Sequence, residues 1–293
     1  MKVNKTNIYE IVEFLTTITP TRNYKNIESL NKVAKYIADK FKKMGYQTEE
    51  QKWIAKGNEY KNIIAIYKSN NSNNKKLIVG GHYDVYGDFP GADDNATAIA
   101  GLLETARLVI ETSPKLDYDI EFVAYSLEEP PFSFTKEMGS YVHASSVFEK
   151  TLLNNDIDII GMVCYEMIGF FSDEEDTQTY PIAEMELILP TIGNFISVVG
   201  IEKFSNFTNS FFTNMKKNSD IKVEQLLFPT EDGIAELSDH SSYWKFDFPA
   251  VMITDTAFFR NPYYHTKDDT IDTLNFDKMS EVIESSFRAI IKM

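Results

Sequence analysis

Leu77–Gly101 reads LIVGGHYDVYGDFPGADDNATAIAG. An apolar run stops at Gly80-Gly81 and then sets His82 and Asp84 on alternate positions. Residues two apart in a strand share a face, so one of the pair can hold a metal while the other supports it. Further on, Asp93-Asp94-Asn95 stands immediately ahead of an apolar helical pattern, which places a second acid at the head of a helix. Strand, acidic turn and helix in this order read as the first unit of an α/β sheet whose chemistry lies beyond the strand ends.

The chain on either side extends that reading. Helices are expected at about Asn7 to Leu15 and at Glu28 to Met44, the second stopped by Gly45. Strand-like runs follow at Gln47–Trp53 and Asn62–Tyr67 with a turn around Gly57-Asn58, and Ser69–Lys76 reads as a polar surface loop. Leu77–Gly81, Ile120–Ser126, Ile159–Ile168, Phe195–Gly200 and Ala250–Thr254 are apolar strands. Helical patterns at Ala96–Glu111, Lys136–Phe148, Glu202–Lys217 and Asn275–Lys292 alternate with them. Near-continuous apolar strands of this kind are buried on both faces. The expected architecture is a three-layer α/β sandwich with a mixed, largely parallel central sheet flanked by helices. No repeat or composition shift divides the chain, so residues 1–293 read as a single domain.

The later strands end in further metal-ligating residues. Glu128-Glu129 follows Ile120–Leu127, Glu166 follows Ile159–Tyr165, and His265 lies in NPYYHTKDDT. Two histidines and three carboxylates are a donor set that zinc uses in hydrolytic sites. Any one of these signals is weak. Five of them in this order, each past a buried-looking strand, make a pattern. Asp84 is expected to accept a hydrogen bond from the imidazole of His82 and fix its tautomer. Asp93 and Asp94 are both available as the acid of the turn.

Read in order, GGHYD, PGADDNATA, SLEEPPF, EMIGF, LSDHSSYW and YYHTKDDT resemble the motifs of the dizinc aminopeptidase-type metallopeptidases. That group also includes glutamate carboxypeptidase and glutaminyl cyclase, and the resemblance covers most of the chain. It implies two zinc ions: His82 and Glu166 on one, Glu129 and His265 on the other, and Asp94, the acid directly before Asn95, bridging both. It implies Glu128 as general base and a cis peptide after Asp94. The chain departs from the family's pattern at two places. Glu166 stands where Asp is frequent, and Pro130-Pro131-Phe132-Ser133-Phe134 replaces a stretch of small residues after the glutamate pair. Tyr264 and His240 are candidates to donate to the oxyanion. Asp239 is expected to order the loop carrying His240, and Asp269 to support its own segment.

Composition narrows the partners. The 293 residues are 43% hydrophobic, with 21 Phe and 16 Tyr, enough for a large core. The net charge of −15 argues against nucleic acid and anionic membranes, which require clustered Lys and Arg. The one cysteine, Cys164, excludes an internal disulfide and reads as a core residue; His143 reads as a surface or core histidine. Glu10 and Glu13 interrupt the apolar N-terminus, and no run approaches the ~20 apolar residues of a membrane span. The chain as given reads as soluble and cytoplasmic.

The leading expectation is an aminopeptidase acting on short peptides or aminoacyl substrates, whose cationic α-amine suits Glu128, Glu231, Asp232 and Glu236. A carboxypeptidase or dipeptidase would need a basic group for a terminal carboxylate, and Arg260 is the candidate. Glutaminyl cyclase would need only one zinc. A non-catalytic binding protein retaining the fold would be expected to have lost ligands or the base. The segments Ser172–Asn194 and Phe204–Leu237 are expected to wall the substrate pocket.

Overall fold

The computed structural model describes residues 2–71, 74–153, 157–229 and 233–293. Helices α1 (Lys5–Thr16) and α2 (Ile27–Lys43) precede the hairpin β1 (Thr48–Ala55) and β2 (Asn58–Tyr67). Then follow β3 (Lys75–His82), α3 (Ala98–Thr112), β4 (Asp119–Tyr125), α4 (Gly139–Leu153) and β5 (Asp158–Glu166). The last part comprises β6 (Phe195–Ile201), α5 (Ser205–Lys217), β7 (Lys222–Phe228), α6 (His240–Trp244), β8 (Ala250–Thr254) and α7 (Phe276–Ile290).

The strands form one eight-stranded sheet in the order β1-β2-β4-β3-β5-β8-β6-β7. Its centre, β4-β3-β5-β8, is parallel throughout, and β6 runs parallel to the edge strand β7. The β1–β2, β2–β4 and β6–β8 pairings are antiparallel. Apolar residues of α1, α2, α3, α5 and α7 pack against one face of the sheet, and those of α4 and α6 against the other. This is the expected three-layer sandwich. Because the chain leaves β3 toward β4 and returns on its other side as β5, a crevice opens beyond the carboxyl end of β3.

Close backbone approach explains Gly80: a Cβ there would collide with the ring of Tyr125 on β4. The hairpin turn falls on Lys56 and Gly57, both at positive φ, one residue earlier than expected. β3 begins at Lys75, inside the expected polar loop, because the Lys76 stem lies along the sheet while its ammonium reaches Glu121 at 2.5 Å; Ser72 and Asn73 lie outside the described residues. α3 starts at Ala98, since Ala92–Thr97 form a separate wide turn. α4 starts at Gly139, whose N–H is taken by the carbonyl of Ser126 at 2.8 Å. Among the described residues no helix is long and apolar enough to cross a membrane.

Candidate metal centre

Four segments deliver side chains to the crevice. His82 is the last residue of β3 and lies opposite Tyr125 at the end of β4, so Glu128 and Glu129 follow close beside it. Glu166 ends β5, Asp94 sits in the turn ahead of α3, and His265 comes from the loop after β8. His82 Nε2 lies 3.5 Å from Asp94 Oδ1, 3.3 Å from Glu166 Oε2 and 3.7 Å from Glu128 Oε2. His265 Nε2 lies 3.0 Å from the other oxygen of Asp94 and 3.3 Å from Glu129 Oε2. One oxygen of Asp94 therefore faces each histidine.

The donor sets His82–Asp94–Glu166 and Asp94–Glu129–His265 each have their ligand atoms within 4.8 Å of one another, and so do His82, Glu128 and Glu129. Among the described residues Glu129 Oε1 is buried with no hydrogen-bond partner, and His265 Nε2 meets only the carboxylate oxygens of Asp94 and Glu129. Burial pushes Glu128 well above the usual carboxylate range, with the charges of Glu129 and Glu166 adding to it. Burial and the neighbouring Asp94 likewise push Glu129 up to about 8. Mutually repelling buried carboxylates converging on two imidazole nitrogens are the donors a divalent cation satisfies. The residues present fit a metal.

Two further acids hold the backbone that carries these donors. Asp84 accepts the N–H groups of Glu128 and Glu129, each at 3.1 Å. Asp269 accepts those of Asp93 at 2.9 Å and Asp94 at 3.1 Å. Asn95 Nδ2 and Ser238 Oγ donate to Glu166 Oε2 at 3.0 and 2.6 Å, fixing the longer arm that stands where Asp is frequent. The peptide after Asp94 is cis, as the resemblance implied. The buried Arg22 guanidinium binds the carbonyls of Tyr83, Gly91, Pro90 and Leu15, tying the loop after β3 to the end of α1.

A cavity of about 200 Å³ opens from the donors and is walled by Phe134, Tyr180, Val199, Leu226, Phe228 and Met252, among others. Both expected wall segments contribute, through Gln178–Pro181 and through Leu226, Phe228, Ile234 and Leu237. β6, β8 and the segment Thr254–Phe259 contribute as well. The replaced stretch after Glu129 splits its aromatics: Phe132 is buried against Tyr24 and Tyr60, whereas Phe134 lines the cavity. Tyr264 lines it too, and burial, followed by the charges of Asp94 and Glu129, holds its hydroxyl proton far more tightly than usual.

Several expectations change. The Asp84 carboxylate stays 3.6 Å from His82 Nδ1, which instead lies 3.2 Å from the Asp84 backbone carbonyl, because the carboxylate is taken by the two glutamate amides. His240 does not reach the cavity: it is fully buried, donates from Nε2 to the Ala235 carbonyl at 2.7 Å and presents its ring to Trp244. Burial lowers its pKa to about 4, so the ring is neutral and its one N–H is spent on Ala235. Asp239 does not order that loop through its side chain. Among the described residues neither of its oxygens has a hydrogen-bond partner, and burial pushes its pKa to about 7. Asp269 supports the Asp93–Asp94 segment across space as well as lying in its own.

Arg260 turns inward, with Nε on Gln178 at 2.8 Å, Nη1 on the Phe195 carbonyl at 2.7 Å and the guanidinium over the Phe195 ring. Asp93 points away from the donors, accepting from Gly169 N–H and Asn261 Nδ2 at 2.9 and 2.8 Å. Cys164 is buried in β5. His143 is buried and paired with Glu121 at 3.0 Å. Glu231 and Asp232 lie outside the described residues, and Glu236 is not among those lining the cavity. The roles of Arg22, of Ser238 within LSDHSSYW and of Tyr86, which stacks on His265, are not readable from the sequence. No spacing rule marks a residue that acts across the fold.

The sequence model of Peptidase family M28 matches residues 62–290, and the chain belongs to that family. It is 38% identical over 281 residues to the uncharacterized protein YfbL of Escherichia coli (strain K12), covering 93% of this chain and 83% of that one. It is 26% identical over 267 residues to a probable leucine aminopeptidase of Trichophyton verrucosum, covering 87% of this chain and 63% of that one. Among solved structures, a zinc aminopeptidase from Bacillus subtilis superposes with a TM-score of 0.78 at 15% identity, over 99% of this chain and 95% of that chain. Glutaminyl cyclase from Fimbriiglobus ruber gives 0.72 at 18% identity, over 100% and 96%. The two solved structures share the fold; the family and the aminopeptidase relatives support a metal-dependent peptidase.

Proposed function

We propose that the protein is an aminopeptidase that removes N-terminal residues, preferentially large apolar ones, from short peptides by means of two zinc ions. The observation that carries this is Asp94, whose two oxygens face His82 and His265 separately. His82 and Glu166 would hold one ion, Glu129 and His265 the other, with Asp94 between them. Other divalent transition metals suit the same carboxylate-rich set. Bound there, the metals would polarise the scissile carbonyl and acidify the attacking water.

The chain's own groups supply the rest. Glu128 lines the cavity beside the donors and is placed to take the proton of the attacking water and return it to the leaving amine. Tyr264 donates its hydroxyl hydrogen to the developing oxyanion. The apolar walls exclude water and receive the side chain of the N-terminal residue. Among the described residues that line the cavity there is no Lys or Arg, while Asp94, Glu128, Glu129 and Glu166 all do. Such a lining favours a cationic α-amine over a terminal carboxylate, and the inward turn of Arg260 removes the candidate for the latter.

The test compares wild type with Glu128→Gln for bound metal and for hydrolysis of leucine amide and its N-acetyl derivative. Cyclisation of a glutaminyl peptide is assayed in parallel. Wild type should cleave the free amine only, and the variant should keep its metal and lose about 10²–10⁴-fold in turnover. Equal turnover in both proteins would remove Glu128 from the mechanism. Cyclisation with a single bound metal would replace the peptidase reading.

A further inference from the structure

The two histidines of the centre are held in different ways. His82 Nδ1 faces the Asp84 backbone carbonyl at 3.2 Å, the usual arrangement in which the far ring nitrogen of a ligand is fixed by a hydrogen bond. Among the described residues, His265 Nδ1 has no such partner. Instead its imidazole lies between two tyrosine rings. Tyr264 stacks on one face, with centroids 3.8 Å apart and planes 15° apart; Tyr86 stacks on the other at 4.1 Å and 6°.

We propose that Tyr86 is a positioning residue for one metal site: with Tyr264 it clamps the His265 imidazole by its faces and takes the place of a hydrogen bond at Nδ1. This rests on the two-metal reading above. His265 sits on an irregular loop at φ 54°, outside any helix or strand that would hold its backbone in a regular hydrogen-bond ladder. Tyr86 itself sits on a tethered segment. Asn23 Nδ2 binds the Gly87 carbonyl at 2.7 Å and Asp88 Oδ1 at 2.8 Å, and Arg22 grips Tyr83, Pro90 and Gly91. The ring of Tyr86 also leans on Phe89, 6.1 Å away. Rigid backbone therefore carries one jaw of the clamp.

The two jaws divide the work. Tyr264 lines the substrate cavity, whereas Tyr86 lies with Val85, Phe89 and Asp269 around a small cleft on the other side of His265. Tyr86 thus acts on the ligand and not on substrate. The consequence is an asymmetric centre: His82 and Glu166 are fixed by hydrogen bonds to their side chains, while the imidazole of His265 depends on the aromatic clamp. Tyr86 is 38% exposed, so shortening it removes the clamp without opening the core.

The test titrates metal-free wild type, Tyr86→Phe, Tyr86→Leu and Tyr86→Ala with cobalt(II), following ligand-field absorption and heat. Wild type should bind two ions per chain. Tyr86→Ala and Tyr86→Leu should weaken one of the two steps by about 10-fold or more and leave the other unchanged; Tyr86→Phe, which keeps the ring, should match wild type. The leucine variant preserves apolar cover should the alanine variant fail to fold. Unchanged affinities in the leucine variant, equal weakening of both steps, or a phenylalanine variant as weak as the leucine one would each overturn the proposal. A single bound ion in wild type would instead overturn the two-metal reading and the proposal with it.

Discussion

The carboxylate of Asp84, just past the end of β3, accepts the backbone N–H of Glu129, beyond the end of β4, at 3.1 Å, and its other oxygen takes that of Glu128. One fully buried acid thereby fixes a proposed metal donor and the proposed base relative to His82, two residues upstream of it. Asp269 does the same for Asp93 and Asp94. The centre is framed by two carboxylates that each grip a pair of successive amides.

Asp84→Asn should separate this role from a direct one on His82. The amide offers a single acceptor oxygen, so one glutamate N–H loses its partner and turnover should fall about 10–100-fold, the range found for groups that orient ligands. Loss of that hydrogen bond should cost about 1–3 kcal/mol in urea unfolding. Turnover equal to wild type in the variant would show that the glutamate backbone needs no such support.

The pair Glu121–His143 should govern acid stability. Glu121 on β4 is buried between His143 at 3.0 Å and Lys76 at 2.5 Å, and these partners outweigh burial and hold its pKa near about 2, against an ordinary 4.5. A carboxylate with a depressed folded pKa stabilises fully above its unfolded pKa, and the contribution is lost as pH falls from about 4.5 to 2. Glu121→Gln should therefore cost on the order of 3 kcal/mol near neutral pH, with the gap from wild type closing below about pH 4. Urea midpoints measured from pH 7 to pH 2.5 check this. A gap independent of pH would refute it.

His240→Phe should damage stability more than catalysis. The change strands the Ala235 carbonyl, worth about 1–3 kcal/mol, and leaves the donors untouched. KM should rise modestly, because Ile234 and Leu237 beside Ala235 line the cavity. Turnover lowered by two orders of magnitude with unchanged stability would restore His240 as an oxyanion donor.

Much of this fold is visible in hydrophobic patterning. β8 lies at the expected Ala250–Thr254, and β3, β4 and β5 differ from expectation by two residues or fewer at each end. Their burial on both faces makes them plain apolar runs. β7 is hidden in the sequence because KVEQLLF is an edge strand with Lys222, Glu224, Gln225 and Leu227 not buried, so its apolar signal is broken. α6 has five residues, too few for a helical period to show. The candidate donors stand out in the sequence for a related reason, since His82 and Glu166 end strands and the others lie in the segments beyond strand ends.

The order of the candidate donors along the chain, their chemical types and their place at or beyond strand ends were determined by the sequence alone, because local periodicity and residue type suffice for them. Tertiary structure decided which oxygen faces which histidine, and that Asp93 turns away while Asp94 turns in. It also decided that Asp84 serves two amides, that His240 and Arg260 face inward, and that Tyr86 meets His265 from 179 positions away. Those outcomes depend on competition among hydrogen-bond partners and on packing between segments remote in sequence, and no local pattern encodes either.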